Sequence, residues 1–402
     1  MSDFRFGIEH EVAFLDHKGS FVDFASTPYR LLQAVIDELP VYPGDEVELR
    51  IGDAGIRLKR WYLEALERLS PQGEWLTCLP KGIEIRTTIH PDIQSTIQEL
   101  EESFALLCQV AARHGFTPVL TSYNPYRTCL ILDPPLNPYE WRLLDRSPED
   151  RTTLGTFLTY GPDLSLSCAA WSTEQLIDCG RKLTYYSPYI VPFSFSSPFY
   201  EGQLWEGLSV RTFLRTGQRP AVLVFIADET QLIYSNPSLT KLARIPAEIG
   251  RLEFKACDSC ADFSLYAALL ALLKGLTIDE TLPGRAIVPD ATLHQHAALR
   301  GFADEEIFEG AQRVLMAADQ ALVADVDRSL LRPLFALLEQ RQTPAHRMIE
   351  RYRQTGSLEE ALRFPYVASL GTARETMQGS SEQATMAEER SAPMPGCGYG
   401  PQ

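Results

Sequence analysis

Two glutamates near the start of the chain have a spacing that could support chemistry. In the segment Gly-Ile-Glu-His-Glu, Glu9 and Glu11 are two residues apart on a predicted strand, so both face the same side. Adjacent like charges cost stability unless a positive group neutralises them. A solvated strand face is the alternative, and it is favoured for a Glu-x-Glu pair taken alone. His10 points to the opposite face, where we expect a packed or hydrogen-bonded histidine.

Two later segments repeat the pattern of a glutamate flanked by apolar strand residues. Glu84 lies in Gly-Ile-Glu-Ile-Arg-Thr, and Glu253 lies in Arg-Leu-Glu-Phe-Lys. A buried carboxylate without compensation is expensive, so its presence on several apolar strands calls for a cation. Carboxylate oxygens are hard ligands that suit magnesium or manganese. The combination of strands is more specific than any single one of them.

The sequence lacks the other common catalytic patterns. We find no glycine-rich phosphate loop, no dinucleotide fingerprint and no Ser-His-Asp grouping. A single Cys-x-x-Cys occurs at Cys257 and Cys260, whereas a zinc site normally needs a second pair of ligands. A redox role is the alternative for this pair. A strand-to-helix turn with two ordinary thiols is the preferred interpretation.

These motifs, in their order and context, resemble glutamate–cysteine ligase family 2, the carboxylate–amine ligases with a glutamine-synthetase-like fold. The strongest match begins with Ser-Pro-Phe-Tyr-Glu-Gly at 197–202 and continues through Gly207 and Ser209 to Arg211. It is similar to the family's Ser-Pro-Phe…Gly…Ser-x-Arg segment. The resemblance extends over roughly residues 4–365 in the same order.

The resemblance implies a curved, mainly antiparallel sheet that forms a funnel around the active site. It also implies ATP as a substrate with magnesium, or manganese, held by strand glutamates. ATP would phosphorylate the side-chain carboxylate of glutamate, and an amine such as that of cysteine would displace the phosphate. The predicted metal ligands are Glu9, Glu11, Glu84 and Glu253.

The resemblance also implies roles for three basic residues. Arg211 would face phosphate or the substrate carboxylate, where a planar guanidinium gives two directed hydrogen bonds. A surface position on a loop is the alternative for Arg211. Arg86 shares a face with Glu84, so it either contributes to the site or simply pairs with that carboxylate. Lys255 is expected near the bound nucleotide together with Arg211.

The chain departs from the family pattern at two positions. The strand 163–169 has no histidine where relatives usually carry one that binds metal or lines the site. Lys255 stands where many relatives have arginine, which keeps the charge but loses the two-pronged geometry. Another acid or amine, or a binding-only relative without turnover, therefore remain as alternatives. The strand glutamates count against the binding-only alternative, because clustered carboxylates are costly.

The elements that would position these residues belong to an α+β fold, with a mainly antiparallel sheet flanked by helices. Apolar and branched residues predict strands at 4–15, 81–89, 116–121, 163–171 and 250–256.

Helices are predicted from Thr27 with Pro28 to Leu39, then from Ile93 to an end at Gly115, and over 173–186 and 261–276. From Asp304 onwards the pattern is helical, and one face carries the apolar residues Ile307, Ala311, Val314, Ala318, Leu322 and Val326. The stretch 124–151 is expected to be irregular, and 190–219 is expected to be a long functional loop.

Composition sets the remaining limits on function. The 402 residues carry a net charge of −16, which disfavours nucleic acid as a partner, although divalent cations allow ATP to bind. The start lacks a secretory pattern and no run of about eighteen apolar residues occurs, so we expect a cytoplasmic protein without a membrane partner. Residues 1–370 form the predicted catalytic domain. Residues 371–402 contain no Leu, Ile, Val or Phe and are expected to be disordered. The oligomeric state is left open.

Overall fold

The computed structural model describes residues 3–45, 60–146, 148–215 and 217–366. The predicted disordered tail lies outside these residues. The strands are β1 (Phe4–Leu15), β2 (Trp61–Leu69), β3 (Trp75–Arg86), β4 (Thr117–Val119), β5 (Pro162–Cys168), β6 (Phe199–Tyr200), β7 (Gln203–Leu204), β8 (Val222–Ile226), β9 (Thr240–Leu242) and β10 (Arg251–Phe254).

The helices alternate irregularly with these strands and dominate the last third of the described chain. They are α1 (Tyr29–Glu38), α2 (Ile93–Arg113), α3 (Pro138–Leu144), α4 (Pro148–Arg151), α5 (Thr153–Thr156), α6 (Thr173–Ile190), α7 (Val210–Arg215), α8 (Ser264–Ile278), α9 (Ala291–Arg300), α10 (Glu305–Ala321), α11 (Arg332–Glu339) and α12 (Pro344–Thr355). A further helical segment spans residues 358–366.

The main sheet has the strand order β2-β3-β1-β5-β10-β8-β9, and β4 pairs with the end of β1. Every pairing is antiparallel except that of β8 with β9. The sheet curls into a half-barrel. The prediction of a curved, mainly antiparallel sheet flanked by helices is therefore confirmed.

The central strand β1 separates a core face from a polar face. Phe6, Ile8 and Val12 are buried, while the alternating Glu9 and Glu11 are only partly buried. This period of two is what a pleated strand requires. The core face packs against helices, so the glutamates are turned away from the core.

The helical layer is built around α8, which is buried over most of its length. At Gly275 the neighbouring α10 approaches so closely that a Cβ atom would lie 2.7 Å from Cβ of Ala318. Ile307 and Val314 on α10 are fully buried, as their spacing predicts. The predicted face ends sooner than expected, since α10 stops at Ala321 and Val326 is 88% exposed.

Several local predictions differ from the structure. The strands β2 and β8 were not predicted, and β3 starts at Trp75 rather than at Lys81. The stretch 124–151 is less irregular than expected, because a capping box at Asn137 starts the helix α3 within it. In α1, Pro28 is the N-cap and not the first helical residue.

The predicted loop 190–219 also contains regular structure, since the β6–β7 hairpin and the helix α7 lie within it. None of the helices in the described ranges is long and apolar enough to cross a membrane.

Candidate active site

A band of ionisable side chains crosses five adjacent strands on the polar face of the sheet. Antiparallel pairing sets Glu9 opposite Arg86 and Glu11 opposite Glu84. On its other side, β1 sets Glu9 opposite Asp163 on β5. Residues directly opposite in antiparallel strands have neighbouring side chains, so the register itself assembles the band. The band lines a cavity of about 540 Å³.

One end of the band is an acidic corner formed by Glu11, Glu64 and Glu84. Each of the three offers a carboxylate oxygen, and these oxygens all lie within 4.8 Å of one another. Oxygens at this separation fit around a single divalent cation, and carboxylates are ligands that magnesium and manganese prefer. The acidic corner therefore has the donor atoms and the spacing that such an ion needs.

Lys81 brings a positive charge to the acidic corner. Its Nζ atom lies 2.9 Å from Oε1 of Glu11 and 3.7 Å from Oε1 of Glu64. The register of β2 and β3 shifts between Glu64 and Ala65, which leaves Lys81 as the extra residue of a bulge. A bulge redirects a side chain that regular pairing would turn to the other face. The lysine is 1% exposed, so this local irregularity gives the carboxylates a buried counter-charge.

Arg86 pairs with the glutamates, as one of its two predicted roles requires. Its Nε atom lies 3.0 Å from Oε1 of Glu84 and 3.5 Å from Oε1 of Glu9. Its Nη2 atom donates to the hydroxyl of Tyr62 at 2.7 Å, and that hydroxyl donates to Glu84. The guanidinium is thus a fixed part of the charge network that holds Glu84.

Burial shifts the titration of two carboxyl groups in the band, those of Glu9 and Glu84. It raises the pKa of Glu9 to about 7, against the opposing charge of Arg86. It likewise raises the pKa of Glu84 to about 7, again opposed by Arg86 and assisted by Glu64 and Glu11. Groups with a pKa near the working pH are typical of functional sites.

The other end of the band is a lysine-bridged cluster formed by Asp163, Arg251, Glu253 and Lys255. Nζ of Lys255 lies 2.7 Å from Oε1 of Glu253 and also contacts Asp163. Nη2 of Arg251 lies 2.7 Å from Oε2 of Glu253. Burial alone would raise the pKa of Glu253, but Lys255 and Arg251 outweigh it and lower the pKa to about 2.

The predicted metal ligands therefore fall into two groups. Glu11 and Glu84 lie together in the acidic corner, whereas Glu253 lies in the lysine-bridged cluster with both carboxylate oxygens facing basic groups. Glu9 lies between them, and the charges of Glu84 and Glu253 both act on it. The sheet brings all four residues to one cavity without joining them at a single point.

Arg211 lines the cavity and is buried, so the surface-loop alternative is wrong. Its Nη1 and Nη2 atoms donate to the backbone oxygens of Ala256 at 3.0 Å and of Lys255 at 2.9 Å. A Cβ atom at Gly161 would lie 2.2 Å from Nη2, so only glycine leaves room for the guanidinium. Arg211 is fixed in place by its surroundings.

The Ser-Pro-Phe segment is fastened by a fully buried carboxylate, Asp258. Ser197 and Ser209 donate their hydroxyls to it at 2.8 and 3.1 Å, and the backbone N–H of Ser196 donates at 2.9 Å. Asp258 also lies 3.8 Å from Nη1 of Arg211. The segment is therefore held by the turn that follows β10.

That turn contains the Cys-x-x-Cys pair. Cys257 and Cys260 are both buried free thiols, and burial raises the pKa of Cys257 to about 12. A thiol that ionises so reluctantly is a poor nucleophile. This supports the interpretation of two ordinary buried thiols in a strand-to-helix turn.

His10 lies on the core face, as predicted. Its Nδ1 and Nε2 atoms form hydrogen bonds with the hydroxyls of Tyr266 at 2.9 Å and Tyr366 at 3.0 Å. Burial lowers its pKa to about 3. It belongs to the packing between β1 and the helices and contributes nothing to the cavity.

Sequence reasoning missed Tyr62, Glu64 and Lys81 as parts of the site. The first two lie on β2, whose Trp-Tyr-Leu-Glu start has strand-forming residues at the correct period. That signal could have revealed both residues. Lys81 depends on a bulge, and the flanking Pro80 and Gly82 are the signal that could have indicated it, because proline and glycine inside a strand often mark a bulge.

Comparison with known proteins adds a sequence relative. A scan against protein-family models finds no match. A curated protein named "Putative glutamate–cysteine ligase 2" from Jannaschia sp. (strain CCS1) is 24% identical over 294 residues. The match covers 68% of this chain and 66% of that protein, so it spans just under two thirds of the relative.

Solved structures show the fold. A glutamate–cysteine ligase from Francisella tularensis, determined in complex with AMP, matches with a TM-score of 0.52 at 11% identity, covering 98% of this chain and 96% of that one. A bifunctional glutathione synthetase from Pasteurella multocida matches with a TM-score of 0.50 at 11% identity, covering 92% of this chain and 52% of that one. The chain therefore shares the fold of glutamate–cysteine ligase, and its resemblance to glutamate–cysteine ligase family 2 is confirmed by this sequence relative.

Proposed function

We propose that the chain is an ATP- and magnesium-dependent ligase that joins the side-chain carboxylate of glutamate to an amine, with cysteine as the first amine to test. One observation carries the proposal: three carboxylates within 4.8 Å of one another line a cavity that also holds several arginines. Such a cavity offers ligands for a divalent ion beside donors for anions, which phosphoryl transfer from ATP requires. The named relatives support the same reaction class.

The acidic corner would hold the magnesium ion through Glu11, Glu64 and Glu84, with Glu9 and Glu253 as further carboxylates along the band. When bound, magnesium would neutralise negative charge on a phosphoryl group. Lys81 and Arg86 partly offset the three carboxylates, so the corner keeps one net negative charge when all are ionised. That residual charge favours a cation while keeping the mutual repulsion of the carboxylates small.

The reaction would proceed in two steps. The terminal phosphoryl group of ATP is transferred to an oxygen of the glutamate side chain, which gives ADP and an acyl phosphate. The amine nitrogen then attacks the acyl carbon, so that a C–N bond forms, the C–O bond to phosphate breaks and the amine loses a proton. In both steps the protein would contribute positioning and charge rather than a covalent intermediate.

Lys255 is proposed to act on the bound substrates through charge. It already bridges Asp163 and Glu253, so its ammonium group is held within the cavity. A fixed positive charge costs no reorganisation when negative charge develops nearby. Arg211 would serve in the same way from the neighbouring wall.

The test is an assay of ADP release with magnesium, ATP, glutamate and a panel of amines. We expect release that requires both the acid and an amine, with cysteine giving the highest rate and one amide formed per ADP. ADP release with another acid or amine would change the proposed substrates and leave the proposed reaction class unchanged. Nucleotide binding without release under any combination would contradict an enzyme and favour the binding-only alternative.

A further inference from the structure

One wall of the cavity carries three arginines from α7 and the turn that follows it. Arg211 and Arg215 are four residues apart on α7, and Arg219 follows after another four. All three line the cavity. Residues at this spacing lie on the same side of a helix, so the guanidinium groups of the first two are neighbours.

The three arginines differ in their partners. Arg211 donates to two backbone carbonyls and faces Asp258. Nη1 of Arg219 donates to the hydroxyl of Thr152 at 3.1 Å. The guanidinium of Arg215, by contrast, forms no hydrogen bond or ion pair with any residue in the described ranges, although the backbone oxygen of Arg215 accepts hydrogen bonds from the N–H groups of Gln218 and Arg219. It is the member of the wall whose guanidinium as a whole is not engaged.

An unengaged guanidinium in a cavity is unfavourable by itself. Burial lowers the pKa of Arg215 well below its ordinary value, and the positive charges of Arg211 and Arg219 lower it further. The residue is only partly buried, and a charge partly removed from water gains from a partner of opposite sign. The acidic groups of the band act on Arg215 only through space, since neither Glu11 nor Asp163 is bonded to it.

We propose that Arg215 is the anion-binding residue of this cavity and receives a phosphoryl group. A phosphoryl group carries up to two negative charges and three acceptor oxygens, which suits a wall of three guanidinium groups better than a single carboxylate does. Arg211, whose Nη atoms donate to backbone carbonyls, then adds its positive charge from beside that residue. The inference deepens the proposed function, because ATP as the source of the phosphoryl group rests on that function, whereas phosphoryl binding itself does not.

The first test uses inorganic phosphate and thermal melting. Phosphate should raise the melting temperature of the wild-type protein by a few degrees over sodium chloride of equal ionic strength. Arg215→Met should melt at or above the wild-type temperature in chloride, since an isolated charge is removed, and should lose the response to phosphate. Arg300→Met, which removes a side chain that is 72% exposed on α9, is the matched control and should keep the response. A wild-type protein without a phosphate response, or an Arg215→Met variant that retains it, would overturn the proposal.

The second test separates the possible sources of the anion by calorimetric binding with magnesium. Arg215→Met should weaken the binding of a non-hydrolysable ATP analogue about ten- to hundredfold, as expected when a charged hydrogen-bond donor is removed. Arg215→Lys should restore part of this affinity, because it keeps the charge without the two-pronged geometry. Binding of adenosine and of glutamate, which carry no phosphoryl group, should be unchanged.

Weakened glutamate binding with unchanged nucleotide binding would show that Arg215 receives a carboxylate, and the proposal would be wrong. The two proposals can also fail separately. If the wild-type protein binds no nucleotide but its response to inorganic phosphate still depends on Arg215, the proposed ligase function fails while the phosphoryl site stands.

Discussion

The residues with the most unusual environment are the carboxyl groups that burial makes hard to ionise. The pKa values of Glu9 and Glu84 are raised to about 7, and that of Asp163 is raised to about 6 by burial, against the charge of Lys255. A carboxyl group whose folded pKa lies above its unfolded pKa contributes stability that is complete below about pH 4 and is lost as pH rises through the folded value.

The pH dependence of stability should therefore carry the signature of Glu84. Relative to Glu84→Gln, the metal-free wild-type protein should lose melting temperature as pH rises from about 5 to 8. Buried histidines give the opposite slope, but they are common to both proteins and cancel in the difference. Magnesium should reverse the loss at pH 8, because metal binding needs ionised carboxylates. If the melting temperatures of the two proteins changed in parallel across this pH range, the raised pKa of Glu84 would be contradicted.

Asp258 offers a second prediction at the scale of single residues. Because it accepts hydrogen bonds from the Ser-Pro-Phe segment and lies beside Arg211, Asp258→Asn should lower the turnover of ADP release about tenfold or more. In an Arg211→Met background, Asp258→Asn should lower turnover little further, because Asp258 acts through that arginine.

The matched control for Asp258 is Asp279, another buried aspartate. Its Oδ2 atom lies 2.7 Å from Nζ of Lys182, and neither residue of this pair lines the cavity. Asp279→Asn should lower the melting temperature and leave the turnover per folded molecule unchanged. If both variants affected turnover equally, the positioning role of Asp258 would be wrong.

At the scale of secondary structure, the acidic corner depends on three strands that are distant in sequence. Glu11 comes from β1, Glu64 from β2 and Glu84 from β3. Each single change to Gln should lower turnover by more than about a hundredfold, which exceeds the usual cost of losing an outer-shell partner of a metal. Double changes should cost little more than single ones, because ligands of one ion act as a unit. Stability should stay the same or rise as repulsion is relieved.

Two further variants complete this series. Glu102→Gln on the exposed face of α2 is the control and should be silent. Glu253→Gln should differ from the corner variants, because it leaves Lys255 and Arg251 with one neutral partner instead of removing a ligand. Additive losses across the corner, or losses explained by unfolding, would show that the three glutamates are a structural feature.

The strand register explains how far the sequence could predict this site. Glu9 and Glu11 were identified by their period of two, and Glu84 and Glu253 by their apolar strand neighbours, which are local properties that each strand carries by itself. Glu64 was missed since β2 was not recognised as a strand. Lys81 was missed because its orientation follows from a bulge in the pairing of β2 with β3, which Pro80 and Gly82 indicate only once the strand β2 is recognised.

The division of the glutamates into two groups was also beyond sequence analysis. It depends on cations from the same and neighbouring strands, such as Lys255 between Glu253 and Asp163. The sequence identified Lys255 but could not indicate which carboxylates it would bridge. Fold class and strand face are thus local information, whereas the pairing of charges across strands is not.

At the scale of the whole chain, the tail after residue 370 should be dispensable. It contains no Leu, Ile, Val or Phe, so it has little apolar surface to bury against the domain. Truncation after Leu370 should leave the melting temperature and the rate of ADP release within error of the full chain. A large fall in melting temperature would show that the tail packs against the domain.

The net charge of −16 sets the most direct test of the central claim, that the cavity binds a nucleotide through a divalent ion held by the acidic corner. Without the ion, the strand carboxylates and the overall charge should repel a triphosphate. The measurement is calorimetric titration of a non-hydrolysable ATP analogue into the wild-type protein with magnesium and, separately, with excess chelator at equal ionic strength. We predict binding with magnesium and a loss of at least about tenfold in affinity with chelator. Equal affinity in the two conditions would contradict the account.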